Sequence, residues 1–181
     1  RNEAAAGAFE DALRELPREP SLHFGLGVAA HRLGQAGRAR NELAEALRLA
    51  PEFTDASVLL GEILYRSGLV EDAIRVYEAA LTHAPKAQAL AERLQQWRDE
   101  ILLQRDFFQS QGNHFTVLFE GPADQELAAK ALELLESAYW RVGSALATYP
   151  DGTITVVLYT EQQFRDVTRS PDWAAASYDG R

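Results

Sequence analysis

Residues 60–85, LGEILYRSGLVEDAIRVYEAALTHAP, repeat the pattern of residues 26–51, LGVAAHRLGQAGRARNELAEALRLAP. The two segments are offset by 34 residues, and four of their shared columns recur once more upstream. The columns are Leu26 and Leu60; Gly27 and Gly61; Gly34 and Gly68; Ala5, Ala39 and Ala73; Phe9, Leu43 and Tyr77; Ala12, Ala46 and Ala80; Pro17, Pro51 and Pro85. A fixed period of this length indicates stacked supersecondary units that share one continuous core.

Each column has a physical role in a pair of antiparallel helices. Gly27 and Gly61 leave room in the first helix of a pair, and the alanines leave room in the second, so that the two backbones approach closely. The large residue between the alanines fills the gap to the next helix. Gly34 and Gly68 stand where the first helix must end, a position that favours the left-handed conformation. Each proline closes a second helix, because its ring and its missing N–H cannot continue one.

These columns resemble those of the tetratricopeptide repeat (TPR) family over residues 1–85, which implies an α-solenoid. The resemblance divides this part of the chain into 1–17, the second helix of an incomplete repeat, and the full repeats 18–51 and 52–85. Because residues 1–17 supply only a second helix, we expect a preceding helix upstream. The sequence departs from the family at the usual first-helix tryptophan and tyrosine columns, which hold His23 and Ser57, and Ala30 and Leu64.

The segment after Pro85 has no 34-residue columns. Its apolar residues instead recur at helical spacing, which predicts one long helix over Ala87–Gln109. Such a helix would cover the last apolar face of the solenoid, so residues 86–110 are expected to be a capping helix. The apolar positions are Leu90, Leu94, Trp97, Ile101 and Leu102.

The remaining residues, 111–181, change to a strand–helix–strand–helix pattern. Period-two alternation places Phe115, Val117 and Phe119 on one face of a strand. A helix is expected from Asp124 to about Ala147, and a strand over 153–159, which is apolar on both faces and so predicted to be central. The helix stripe is Leu127, Ala131, Leu134, Leu135, Ala138, Val142 and Leu146.

The end of the chain carries three local signals. Thr160-Glu-Gln-Gln163 is a capping box that opens a short helix. Ser170-Pro171 indicates another helical turn through Trp173. Because a long helix between two strands favours parallel pairing, the two strands predict part of an α/β sheet. Tyr178-Asp-Gly-Arg181 is expected to approach a third, missing strand.

The order of residues in 112–181 resembles the opening of bacterial peptidase-MA-like (gluzincin) domains. The matching residues are His114-Phe115-x-Val117-x-Phe119-Glu-Gly-Pro122, Ala138-Tyr139, Ile154-x-Val-Val-Leu-Tyr159, and Ser170-Pro-x-Trp-Ala174. The resemblance implies that a His-Glu-x-x-His helix with zinc ligands and general base would lie beyond Arg181. No catalytic, cofactor-binding or metal-binding residue is carried over onto this chain, so it is expected to be non-catalytic as given, and zinc is expected only in a full-length parent.

Composition narrows the possible partners. The chain has 181 residues, a net charge of −9 and no cysteine. No stretch supplies the basic face that a nucleic-acid partner needs. No apolar run reaches the roughly 18 residues of a membrane span. The excess of Arg over Lys is typical of GC-rich bacterial genomes, but neither the compartment nor the oligomeric state follows from the sequence.

Candidate small-ligand sites have simpler structural interpretations. The G-x-G-x-x-A pattern of residues 25–30 falls inside a predicted helix, where Gly27 already has a packing role, rather than after a strand as dinucleotide binding requires. None of the four histidines has a partner at the i, i+4 spacing of a helical zinc site. We therefore expect packing or surface roles for His23, His31, His83 and His114.

The TPR resemblance implies a peptide-binding groove lined by the first helices. We call these positions the first-helix face: Phe24, Val28, His31, Arg32, Val58, Glu62, Tyr65 and Arg66. Lysine and asparagine, which hold C-terminal carboxylates in some relatives, are absent from them, so an extended or helical peptide is the expected ligand. Packing of the same residues against neighbouring helices is an equal alternative.

Three functions therefore remain open. The first is a protein- or peptide-binding TPR scaffold fused to the start of a metallopeptidase-like domain. The alternative is a fragment of an active zinc metallopeptidase. A pure interaction module, with a structural α/β region, is the other outcome.

Overall fold

The computed structural model describes residues 1–150, 152–171 and 173–178. Contacts divide the chain into two compact units, Arg1–Arg98 and Asp99–Arg181. The first is entirely helical, and the second contains a small sheet with helices. The predicted fold class, mostly helical with a partial α/β region, is confirmed.

Helix pairs build the first unit. The helices are α1 (Asn2–Glu15), α2 (Pro20–Arg32), α3 (Ala36–Leu49), α4 (Thr54–Arg66), α5 (Val70–His83) and α6 (Gln88–Gln104), which extends into the second unit. The first helices α2, α4 and α6 begin at residues 20, 54 and 88, each 34 residues after the last. The long helix after Pro85 therefore begins in the repeat register.

The repeat columns act as predicted. A Cβ atom on Gly27 would lie 2.8 Å from Cγ of Leu43, and one on Gly61 would overlap the Tyr77 ring. Gly34 and Gly68 both adopt φ of +74°, so each ends a first helix in the left-handed region. The G-x-G-x-x-A pattern lies within α2.

The core of this unit runs through both helices of each pair. Leu43 and Ala46 are fully buried, and Tyr77 is 2% exposed. The two unusual columns also belong to the interior, since Ala30 is fully buried and Ser57 is 2% exposed. Trp97 of α6 is 1% exposed. This large aromatic side chain therefore holds α6 against the repeats.

His23 connects α2 to α3. Its Nδ1 lies 2.7 Å from Oε2 of Glu42, and its Nε2 lies 3.1 Å from the carbonyl oxygen of Pro17. Burial alone would lower the pKa of His23, but the hydrogen bonds with Glu42 and Pro17 outweigh it, and the pKa is raised above its usual 6.5. A protonated imidazole donates from both nitrogens, which matches these two acceptors.

We expect this contact to make the stability of the first unit depend on pH. Because the folded pKa is raised, its contribution is fully present below pH 6.5, the unfolded value, and is lost as the pH rises through the folded pKa. The free energy of unfolding, measured from about pH 5 to 9, should therefore fall more steeply in the wild type than in His23→Gln. Identical pH profiles would show that the contact contributes nothing.

The second unit is a three-stranded sheet covered on one face by a helix. Its elements are β1 (Phe108–Gln111), β2 (Phe115–Phe119), α7 (Gln125–Leu146), β3 (Ile154–Val157) and α8 (Glu161–Thr168), with a short 3₁₀ turn at Pro122–Asp124. β1 pairs with β2 antiparallel, with Ser110 opposite Val117. β2 pairs with β3 parallel, with Val117 opposite Val156, as the strand–helix–strand order predicted.

Two predictions for this region are wrong. The helix expected over Ala87–Gln109 ends at Gln104, and Phe108–Gln111 form a strand instead. The apolar residues Phe107 and Phe108 extend the helical spacing of the preceding apolar positions, so the sequence pattern did not indicate a strand there. The strand depends on its pairing with β2. β3 is not central: within the described residues it lies at the edge of the sheet and β2 is in the middle.

The stripe predicted for α7 is correct only in part, since Leu135 packs on the sheet but other members of the stripe do not. Leu127, Leu134 and Val142 are about half exposed or more. The side that packs on the sheet carries Ala128, Leu132 and Leu135, against Val117 and Phe119. α7 is apolar on more than one face, so a single stripe read from the sequence does not identify the buried one.

The short C-terminal signals have mixed outcomes. The capping box is confirmed, since Thr160 Oγ1 accepts from the Gln163 backbone and Gln163 Oε1 accepts from the Thr160 backbone. The Ser170-Pro171 signal includes Asp172, which lies outside the described residues; beside it, the Ala174 N–H donates to the Pro171 carbonyl oxygen at 2.9 Å. Of the expected approach to a strand at 178–181, residues 179–181 lie outside the described residues.

None of the described helices combines the length and the apolar character needed to cross a membrane.

Candidate functional site

The first-helix face is divided between residues held by packing and residues left open. It is carried by α2 and α4, which occupy equivalent places in successive repeats. Phe24 is half-buried and packs its ring 4.8 Å from that of Phe53, at the start of α4. Phe24 therefore contributes to the packing of one repeat on the next.

Glu62 is engaged by α6. Nε and Nη2 of Arg93 donate to the two carboxylate oxygens of Glu62 at 3.0 and 3.1 Å. Burial opposes the charge of Arg93, but the hydrogen bonds and the charge of Glu62 raise its pKa. A bidentate pair of this kind fixes orientation as well as proximity. It anchors α6 on α4.

Three aromatic rings surround this ion pair. The Tyr65 ring stacks on Trp97 with centroids 4.9 Å apart, and Tyr77 lies 4.5 Å from Trp97. The Arg93 guanidinium lies 5.2 Å from the Tyr65 centroid and 5.3 Å from that of Trp97, within cation–π range. Burial raises the pKa of Tyr77, and the Glu62 carboxylate beside its hydroxyl adds to this.

This cluster corrects part of the predicted face. Tyr65 is only 5% exposed, so it cannot offer its ring to a ligand without unpacking α6. For Glu62 and Tyr65, the packing interpretation describes the structure. Arg93 is the functional neighbour that the sequence analysis missed, because it lies 31 residues from Glu62 and outside every repeat column.

The open part of the face consists of the remaining residues of α2 and α4. Val28, His31 and Val58 are half-buried, and Arg32 and Arg66 are exposed. The two arginines are equivalent, 34 residues apart, at the ends of α2 and α4. No ion pair involving either arginine is formed with the part of the chain that the structure describes. This leaves a half-buried apolar strip with two uncompensated charges beside it.

α6 carries a different residue where α2 and α4 have their packing glycine. In the 34-residue register, Gln95 follows Gly27 and Gly61. Because a Cβ atom at either glycine would strike the second helix of its pair, a glutamine there does not suit a close partner helix. This difference favours the capping role expected for α6 from the sequence, which stays a prediction.

The other predicted histidine positions have local roles. His83 is the last residue of α5 and is exposed. His114 precedes β2, with its backbone N–H 2.8 Å and its Nδ1 2.7 Å from the Glu136 carboxylate, and these bonds lower the pKa of Glu136. Among the described residues, no three His, Asp or Glu side chains are grouped as a metal ion would require.

Comparison with known families relates most of the first unit to one family of repeats. Residues 1–43 and 32–89 match the sequence model of the tetratricopeptide repeat family. Residues 1–89 are a TPR region. The helix pairs, the left-handed glycines and the alanine columns described above are the structural counterpart of this match.

Individual relatives extend the comparison. The chain is 31% identical over 100 residues to interferon-induced protein with tetratricopeptide repeats 3 of Mus musculus, covering 54% of this chain and 25% of that protein. It therefore spans about a quarter of that relative's length. The first TPR of Spaghetti (RPAP3), bound to an HSP90 peptide, superposes with a TM-score of 0.51 at 20% identity, over 56% of this chain and 82% of that one. This shows a shared fold. A thermophilic TPR protein of Thermus thermophilus gives a TM-score of 0.49 at 30% identity, over 54% of this chain and 50% of that one.

Proposed function

We propose that the TPR region is a peptide-binding scaffold whose ligand lies along the open part of the first-helix face, between α2 and α4. The observation that carries the proposal is the pair Arg32 and Arg66, exposed and without an ion-pair partner among the described residues. Val28 of α2 and Val58 of α4 add half-buried apolar side chains to the same two helices. A peptide with apolar anchors and an acidic flank matches this arrangement.

The fold comparison supports the type of ligand but not its identity. The TPR of Spaghetti is bound to an HSP90 peptide, so this architecture accommodates a peptide. The sequence of the face disfavours a clamp for a C-terminal carboxylate, because Phe24, Val28 and Val58 stand where lysine and asparagine would be needed. The ligand expected here is therefore an internal segment of a protein.

Peptides selected from a random display library on the intact chain test this proposal. The double variant Arg32→Glu/Arg66→Glu should weaken their affinity tenfold or more, because each charge-assisted contact contributes about 1.5–3 kcal/mol. A control double variant with the same charge change, Arg18→Glu/Arg105→Glu, should leave the affinity unchanged, since both residues are exposed and outside the face. Equal loss in both variants, or no loss in either, would contradict the proposal.

We also propose that residues 112–181 are the N-terminal part of a peptidase-MA-like domain. Its support is the residue order described above and the parallel pairing of β2 with β3 across α7. The test is the protein sequence that follows Arg181 in the parent gene. A His-Glu-x-x-His helix with a downstream Glu, and one zinc ion bound per longer chain, would support a zinc peptidase. Absence of the motif would leave an interaction module.

A further inference from the structure

A second groove lies on the other set of helices in the TPR region. It has a volume of about 480 Å³ and runs between the second helices α3 and α5, with Ser57, Leu60 and Leu64 of α4 as its floor. We call it the second-helix groove. Its walls are Arg40, Asn41, Ala44, Leu47 and Pro51 on one side and Asp72, Arg75, Val76, Ala79, Ala80 and His83 on the other.

The size and shape of the second-helix groove suit the packing of an additional α-helix. Its wall on α3 extends from Arg40 to Leu47, which is about 10 Å of helix or two turns, and Pro51 continues it after the end of the helix. The centre is lined by the exposed alanines Ala44 and Ala79, which would let another helix come close, and Leu47 and Val76 flank them. Small residues between larger apolar ones are what ridge-into-groove packing of a third helix needs.

The preceding repeat shows that this surface is not an automatic product of the fold. In the 34-residue register, Ala44, Val76 and Ala79 correspond to Glu10, Glu42 and Glu45. The corresponding space between α1 and α3 is bridged by an ion pair between Arg38 and Glu10. Three positions of the second-helix groove are thus apolar where the residue 34 positions earlier is acidic, and no ion pair joins α3 to α5 among the residues described.

The charged residues in the walls of the groove indicate which charge a partner should carry. They carry two arginines and one aspartate in a chain of net charge −9. Asp72 is paired with Arg75 on its own helix, whereas Arg40 forms no ion pair with described residues. An apolar trough with a free arginine at one end, and His83 at the other end of α5, favours an acidic partner.

We propose that the second-helix groove binds an acidic amphipathic helix of a partner protein. Its apolar residues would pack on Leu47 and Val76 over the alanines, and a carboxylate would face Arg40. This surface is distinct from the first-helix face, so one TPR region would engage two segments at once.

The test uses a display library of amphipathic helical peptides of roughly 16 residues, long enough to hold a helix. Leucines are fixed at i, i+3, i+7 and i+10, and the flanking positions are randomised among Asp, Glu, Lys, Arg and Ser. Selection on the intact chain should enrich Asp and Glu over Lys and Arg. No enrichment, or enrichment of basic or uncharged helices, would overturn the proposal.

Substitutions then locate the selected peptides. Ala79→Glu and Ala44→Glu restore the acidic residues of the preceding repeat, and Arg40→Glu reverses the free charge. Each should weaken binding about tenfold. Ala8→Glu, at an exposed alanine of α1, is the matched control and should change nothing. Unchanged affinity in all three groove variants would overturn the proposal, and loss only in Arg32→Glu/Arg66→Glu would assign the peptides to the first-helix face instead.

Discussion

Trp97→Ala should destabilise the TPR region by about 3–5 kcal/mol, the cost of deleting a large buried aromatic side chain. Trp97 is 1% exposed and lies between the rings of Tyr65 and Tyr77. Its loss would also remove one wall of the site that holds the Arg93–Glu62 ion pair. Urea unfolding followed by far-ultraviolet circular dichroism measures the effect.

An exposed tryptophan and a conservative change at Trp97 provide the controls for this substitution. Trp173 is 85% exposed, so Trp173→Ala should change the free energy of unfolding by less than about 0.5 kcal/mol. Trp97→Phe should cost less than the alanine change, because it keeps a ring and removes Nε1, a buried donor with no acceptor among the described residues. A loss below about 1 kcal/mol in Trp97→Ala would mean that α6 does not seal the repeats.

Gly61→Ala should destabilise the protein although alanine is the better helix former. Its Cβ atom would overlap the ring of Tyr77, which is 2% exposed and cannot move aside without disturbing Trp97. Overpacking of this kind costs about 1–3 kcal/mol and at times more, against about 1 kcal/mol gained in helix propensity. The net change in the free energy of unfolding is expected to be a loss.

Gly7→Ala is the matched control, because a Cβ atom on Gly7 in α1 meets nothing within 4 Å. It should gain about 0.5–1 kcal/mol, as an unhindered helical position does. Opposite signs for the same chemical change would show that close approach of helices, rather than glycine flexibility, explains the glycine column. A gain in both variants would refute this explanation.

The repeat could be predicted from the sequence because each column has one physical task. A glycine under Leu43, or a left-handed glycine such as Gly34, tolerates few substitutes, so the spacing alone identifies the helix pair. The strand at Phe108–Gln111 could not be predicted in this way, because these four residues form a strand only by pairing with β2. It also did not identify the buried side of α7, where apolar residues occur on several faces.

The candidate sites were predictable to a smaller extent. Positions on the first-helix face followed from the repeat register, but the pairing of Glu62 with Arg93 depends on how α6 packs, which no column encodes. The second-helix groove could have been predicted by comparing residues 34 positions apart. Glu10, Glu42 and Glu45 change to Ala44, Val76 and Ala79 one repeat later, and these three apolar residues line the groove.

The central claim is that the open part of the first-helix face holds a peptide. The most direct measurement is a titration of the ¹⁵N-labelled chain with a peptide selected from the random library, followed by amide chemical shifts. The account predicts the largest shifts in α2 and α4, around Val28, Arg32, Val58 and Arg66, and their disappearance in Arg32→Glu/Arg66→Glu. Shifts of equal size in that variant, or shifts confined to the second unit, would contradict it.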